Sequence, residues 1–226
     1  DMKRAYYACI TQIDYQLGLL FARLREMNLL ENTWIIFTSD HGELLGDHRM
    51  AAKTTFLEGS AHIPLLVRPP ATPWEPKPLG GKRVDTLVTL ADVMPTVLDL
   101  CGVERPGGLE GRNLMEVAEG KAGERVFHGE SVGIHCVIKD HVKYQWTQQG
   151  GDELLFDLES DPQETKNLAG EASWSEKKTE LQDILIKRLE SQGSEFVKNG
   201  ELRAEEGISG PHDACKWPGF HSTHYP

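Results

Sequence analysis

Apolar positions near the start of the chain recur at helical steps. Ile10, Ile13, Leu17, Leu20, Phe21 and Leu24 share one face, and their spacing predicts an amphipathic helix from near Met2 to Met27. Asn28 to Asn32 is read as its exit. Thr33-Trp34-Ile35-Ile36-Phe37-Thr38 follows as an apolar, β-rich run without alternation. That pattern predicts a strand buried on both faces, as in a parallel sheet. Helix followed by such a strand is half of an α/β unit. A second short strand is predicted at Ile63 to Val67, with Pro64 near its start. Residues 69–83 carry Pro69, Pro70, Pro73, Pro76, Pro78 and Gly80-Gly81, the composition of an exposed loop. Leu90, Val93, Met94, Val97, Leu98 and Leu100 predict another helix, stopped by Gly102. Pro95 lies inside it, which is tolerated only in the first turn.

The pattern changes after Gly120. Val126 to Glu130, Ile134 to Ile138, Val142 to Thr147 and Leu154 to Phe156 read as short strands, the last two joined through Gly150-Gly151. Strands linked without helices predict an antiparallel sheet. One more amphipathic helix is predicted from about Ser175 to Ser194, with Leu181, Ile184, Leu185 and Leu189 on one face. The expected organisation is a catalytic-type α/β portion over 1–120, a small α+β subdomain over 121–200, and an irregular tail over 201–226. The chain opens at Asp1 inside a helical pattern, as a fragment or a processed product would.

Composition narrows the function. The 226 residues carry 24 Lys and Arg against 35 Asp and Glu, a formal net charge of −11. So acidic a body does not attract a phosphate backbone, and no nucleic-acid partner is expected. No apolar run reaches the length of a membrane span. Cys9, Cys101, Cys136 and Cys215 form no C-x-x-C pair, so neither a zinc ribbon nor a thioredoxin-type site is expected. Neither a P-loop nor a G-x-S-x-G elbow occurs.

The segment Ser39-Asp40-His41-Gly42 stands just past the carboxyl end of the first predicted strand, where open α/β sheets place their sites. Asp40 offers carboxylate oxygens and His41 an imidazole nitrogen. Gly42 is expected to allow the unusual dihedrals of a turn that converges both on one cation. Oxygen plus nitrogen suits Ca²⁺, Mg²⁺, Mn²⁺ or Zn²⁺, and hard oxygen ligands favour the first three. The same tripeptide is also an ordinary strand-exit turn. Lys53 could neutralise an anionic substrate or leaving group; taken alone it reads as a surface lysine.

Taken together these segments resemble the sulfatase family of the alkaline-phosphatase-like superfamily. The resemblance runs through Ile10-Thr11-Gln12-Ile13-Asp14-Tyr15, Ile35 to Gly42, Leu45-Gly46-Asp47-His48, Lys53 and Glu58-Gly59-Ser60-Ala61-His62-Ile63-Pro64-Leu65-Leu66-Val67. It continues through Leu90 to Leu100, Gly111-Arg112-Asn113-Leu114, Lys143-Tyr144 and Leu155 to Leu168. Where His62 stands, the family usually has arginine. The resemblance implies an α/β fold: part of an alkaline-phosphatase-like sheet sandwiched by helices, followed by a small antiparallel-sheet-plus-helix C-terminal subdomain.

By the same resemblance, Asp40 and His41 bind a divalent metal, Ca²⁺ first, with Mg²⁺ and Mn²⁺ as alternatives. Lys53 contacts the sulfate group as a catalytic residue, and His48 is a weaker candidate for substrate binding. The implied substrate is a sulfate ester, on a sulfated glycan or an aryl group. The family nucleophile is a formylglycine made from cysteine in a C-x-P-S-R-like motif, and none of the four cysteines is followed by that motif. The chain is therefore expected to be the C-terminal portion of a sulfuric ester hydrolase, inactive alone and partnered by a missing N-terminal half. Two alternatives stand beside this one. The first is a phosphodiesterase or phosphonate monoester hydrolase of the same superfamily; the second is a non-catalytic fragment with a binding or structural role. Many bacterial members are exported, which implies a periplasmic or extracellular parent, but no signal is visible in this chain and the compartment stays open.

Overall fold

A computed structural model describes residues 2–71 and 81–205. In chain order the elements are helix α1 (Met2–Glu26), strand β1 (Ile35–Thr38), the short helix α2 (Glu58–Ala61) and β2 (Leu65–Arg68). Then come α3 (Val93–Leu100), α4 (Leu114–Ala118), and the strands β3 (Phe127–Ser131), β4 (Ile134–Lys139), β5 (Val142–Thr147) and β6 (Glu153–Asp157). Helix α5 (Ser175–Ser191) and the strands β7 (Val197–Lys198) and β8 (Glu201–Leu202) complete the described chain. Two compact units form. The first joins the residues up to Asp40 to Ile63–Gly123; the second joins His41–His62 to the chain from Glu124 on.

In the first unit the helical periodicity of α1 holds along its length, yet none of its residues is buried. Ile10, Ile13 and Leu20 of the apolar stripe are all exposed. Strands β1 and β2 pair antiparallel, Ile35 opposite Arg68 and Thr38 opposite Leu65. The parallel arrangement expected for β1 is thus not the one found, and β1 is half-buried rather than covered on both faces. An unalternating apolar run reports apolar side chains on both faces of a strand; it carries no information on the direction of the neighbour.

A 3₁₀ turn, Leu90–Asp92, leads into α3 and carries a capping box. The Thr89 amide donates to Asp92 Oδ2 at 2.8 Å, and Asp92 Oδ1 accepts from the Arg112 amide at 2.7 Å. A fully buried carboxylate is tolerable only with such donors. Pro95 stands in the first turn of α3, where its missing N–H is no loss. The helix ends in a Schellman motif. Gly102 sits at φ +67°, its amide bonds Asp99 O at 3.0 Å, and the Val103 amide bonds Leu98 O at 2.9 Å. Residues 72–80 of the expected proline-rich loop lie outside the described residues.

In the second unit β3-β4-β5-β6 form an antiparallel meander in sequence order. The two-residue links Val132-Gly133 and Asp140-His141 are left-handed throughout, matching the twist of a hairpin. One face of the meander packs Val137, Val142, Tyr144, Trp146 and Leu155 against Leu181, Leu185 and Leu189 of α5. Burying a Leu side chain is worth about 1.5–3 kcal/mol, so this helix face is the main anchor of α5. Phe156, from the other face, packs with Leu44, Met50 and Leu57 of the 41–62 segment. The meander is therefore covered on both sides. Glu201-Leu202, within the tail expected to be irregular, instead pair as β8 with β7; residues 206–226 of that tail lie outside the described residues.

Candidate active site

Strand β1 ends at Thr38, and Asp40 follows at its carboxyl end, exposed, as the last residue of the first unit. His41 opens the 41–62 segment of the second unit and is half-buried. Its Nδ1 lies 2.7 Å from the Gly42 carbonyl oxygen. A carbonyl can only accept, so Nδ1 carries the proton and Nε2 presents its lone pair. That lone pair accepts from the Lys53 ammonium at 2.6 Å. The chain thus brings together two of the residues singled out from sequence, twelve positions apart. Lys53 itself is exposed. His48 is exposed on the same segment and is not part of this pair.

Gly42 serves a different purpose from the one expected. It does not adopt a left-handed φ. A Cβ at this position would lie 2.2 Å from Gly59 O and 3.3 Å from Ser60 O. The Gly42 amide donates to Ser60 O at 2.7 Å, so the chain at Gly42 lies against the 59–60 backbone at a distance only glycine permits.

The left-handed backbone is found farther along. Leu45, His48, Arg49, Ala52 and Thr54 all have φ between +51° and +82°. Each costs about 1–2 kcal/mol for a residue with a Cβ. Such strain persists where surrounding contacts over-determine the conformation. Here Leu44 and Leu57 are almost wholly buried, and Glu43 Oε1 accepts from the Leu45 and Ala52 amides at 3.2 and 2.5 Å. The Leu44 amide also reaches Ala52 O at 3.0 Å.

The second unit also holds a buried ionic cluster that the sequence reading missed. The Lys143 ammonium on β5 is fully buried. It donates to Glu58 Oε1 at 2.5 Å, to Phe56 O at 2.6 Å and to Glu164 Oε1 at 2.8 Å. Glu164 Oε2 in turn accepts from the Glu58 amide at 2.6 Å. Burial by itself would lower the pKa of this ammonium, but the attraction of Glu164 and Glu58 outweighs it and holds the group above lysine's ordinary value. On its outer side Glu58 Oε2 meets His62 Nδ1 at 2.7 Å. Lysine and glutamate default to the surface, so neither type alone signals this burial. The available signal is indirect. Lys143 shares its sheet face with Cys136 and Phe156, and both are buried.

Comparison with known proteins places the chain among the sulfatases. The profile of the Sulfatase family matches residues 1–103. An arylsulfatase of Clostridium perfringens is 36% identical over 206 residues, covering 88% of this chain and 42% of that protein. The solved structure of yidJ from Bacteroides fragilis superposes with a TM-score of 0.71 at 28% identity, over 85% of this chain and 43% of the other. The phosphonate monoester hydrolase of Agrobacterium radiobacter gives 0.68, also at 28% identity, over 88% and 44%. The chain spans less than half the length of the relatives it matches. Among the described residues no group of three or more His, Cys, Asp and Glu is placed to hold a metal ion, and no helix is long and apolar enough to cross a membrane.

Proposed function

Because this chain belongs to the sulfatase family, we propose that it supplies one side of the active site of a sulfuric ester hydrolase of the arylsulfatase type. The observation that carries this reading is the His41–Lys53 pair, next to Asp40 at a strand end. A metal-bound imidazole is ordinarily held by its second nitrogen donating to a carbonyl or carboxylate. Nδ1 of His41 already donates to Gly42 O, which leaves Nε2 to ligate. With the Asp40 carboxylate this donor set fits a hard divalent cation, Ca²⁺ before Mg²⁺ or Mn²⁺. When bound, the cation draws charge from the sulfate oxygens as the ester bond breaks.

The rest follows from this chain's own residues. Nε2 has one lone pair, so with a cation held there the Lys53 ammonium would have to donate elsewhere. Lys53 would then donate to an anionic oxygen of the substrate, stabilising charge that grows in the transition state. His48 is a secondary candidate for the same anion. Two ligands do not complete a Ca²⁺ sphere, so further ligands and the formylglycine nucleophile are assigned to polypeptide outside these residues. Two observations support that assignment: the chain covers 42% of its Clostridium relative, and Ile10, Ile13 and Leu20 of the α1 stripe are exposed. The substrate class proposed is a sulfate ester of a glycan or an aryl group. A second reading, hydrolysis of phosphonate monoesters or phosphodiesters, is favoured by the likeness to the Agrobacterium enzyme; its tetrahedral anion makes the same demands on Lys53 and the cation.

Calorimetric titration with Ca²⁺ of a polypeptide that joins these residues to a C-x-P-S-R-type segment tests the metal assignment. Binding is expected, and is expected to disappear in Asp40→Ala; unchanged affinity in that variant would remove Asp40 from the site. Rates on an aryl sulfate and an aryl phosphodiester, measured on a polypeptide that joins these residues to a C-x-P-S-R-type segment, separate the two chemistries. Preference for the phosphodiester would overturn the sulfatase reading.

A further inference from the structure

The segment that carries His41 and Lys53 is hard to hold in one shape. Its left-handed residues favour other conformations, and its apolar anchors on Phe156 attract without direction. An anchor that lacks direction fixes depth and leaves small rotations and slips open. Direction has to come from hydrogen bonds with defined geometry.

We infer that Lys143 is a positioning residue for the His41–Lys53 pair, acting through Phe56, Glu58 and Glu164. This deepens the reading of that pair as part of an active site and rests on it. The path is short on both sides. Toward Lys53, the ammonium grips the carbonyl of Phe56, three residues farther along the chain. Toward His41, it grips Glu58, the first residue of α2, while Glu164 holds the Glu58 amide. Two residues on in the same helix, Ser60 O accepts the Gly42 amide, and Gly42 O accepts from the His41 ring. Both members of the pair therefore lead back to one buried ammonium.

Stability by itself does not call for this design. Removing Lys143 and Glu164 from water is costly, and buried ion clusters are often replaceable by neutral groups without loss of stability. What neutral packing cannot reproduce is one donor group aimed at three oxygens, on Phe56, Glu58 and Glu164. The cluster supplies the register that the strained segment lacks.

The test reads geometry in the metal-free chain at pH 8. Nitrogen-15 NMR of the His41 ring distinguishes the Nδ1–H tautomer from the Nε2–H tautomer. In the unaltered chain only the Nδ1–H form is expected. The variant carrying Lys143→Met, Glu58→Gln and Glu164→Gln leaves no ion buried alone. It is expected to unfold cooperatively, as the parent does, while His41 becomes a mixture of both tautomers. A folded variant with the parental His41 spectrum would overturn the inference. Native-state hydrogen exchange on the unaltered chain gives a second reading that does not depend on any variant folding. The Gly42 and Glu58 amides are expected to open with the same free energy as the β5 amides. Exchange of Gly42 through a separate, easier opening would equally overturn the inference. Neither readout involves a cation or a sulfate ester. If the polypeptide joined to a C-x-P-S-R-type segment binds no Ca²⁺ while the variant shows the tautomer change, the positioning role stands and the catalytic reading falls.

Discussion

Replacing Gly42 by alanine probes the closest backbone approach beside the candidate site. The added methyl carbon would begin 2.2 Å from Gly59 O, with Gly59 C at 3.1 Å. Contact at that distance is far inside van der Waals range, and the obstacle is backbone, so no rotamer change relieves it. The 41–42 chain has to retreat by about 1 Å, an overpacking strain of the kind that costs about 1–3 kcal/mol. The retreat also breaks the 2.7 Å bond from the Gly42 amide to Ser60 O, a net loss of about 0.5–1.5 kcal/mol. The expected total is about 1.5–4.5 kcal/mol. Gly46→Ala is the control. That glycine has φ +99°, and a methyl group added to it would meet nothing within 4 Å, so only the left-handed strain of about 1–2 kcal/mol applies. Urea unfolding followed by tryptophan fluorescence reads both, because Trp146 lies in the core of the same unit. With a slope of about 1.5 kcal/mol per molar urea, Gly42→Ala should move the midpoint down by about 1–3 M. Gly46→Ala should move it by about half that. If Gly42→Ala costs no more than Gly46→Ala, close approach is not why glycine stands at 42, and the seat described for His41 is wrong.

Three further outcomes are expected. Gln145 is buried on β5, and neither its side-chain oxygen nor its nitrogen has a hydrogen-bond partner among the described residues; Gln145→Leu should raise stability by about 1 kcal/mol in the same urea assay. His135 is buried against Trp146, its Nε2 accepting from Gln148 at 2.8 Å, and burial pushes its pKa below histidine's ordinary value despite the opposing charge of Glu130. Its unfolded form therefore binds a proton first, so its contribution is fully present above pH ~6.5 and is lost as pH falls toward the lowered folded value. His135→Gln should flatten the fall in melting temperature between pH 8 and pH 5, and an unchanged fall would assign it to other groups. Burial also pushes the Cys136 thiol up to about 12, while Cys9 and Cys101 are exposed; iodoacetamide at pH 8, followed by peptide mass spectrometry, should label those two and spare Cys136 until the chain unfolds.

Much of the candidate site was legible because it is local. Asp40, His41 and Gly42 stand together at the end of an apolar run, and Lys53 follows on the same segment. Their meeting needs only that this segment fold back, which the Gly42–Ser60 and Leu44–Ala52 bonds accomplish. Glu43 was passed over although it lies in the same stretch. A carboxylate that accepts two backbone amides is written no differently from one that faces water. Lys143, Glu58 and Glu164 were illegible for a related reason. The lysine and its partners are separated by 85 and 21 positions, and nothing in the neighbourhood of any one of them marks the others.

Periodicity is a property of adjacent residues, and so the chain alone determined α1, α3, α5 and the four-strand meander, along with the turn at Gly102 that ends α3. It also determined which residue types stand at the strand end, and hence which chemistry is available there. Tertiary structure decided the rest. It set β1 and β2 antiparallel, it left the stripe of α1 unburied, and it seated residues 41–62 on the far face of the meander from α5. It turned Gly42 from a hinge into a point of contact. The physical reason is that burial and charge pairing depend on what arrives from elsewhere in the chain. A lysine held between two glutamates and a lysine in water have the same sequence signature, and only the fold decides which one Lys143 is.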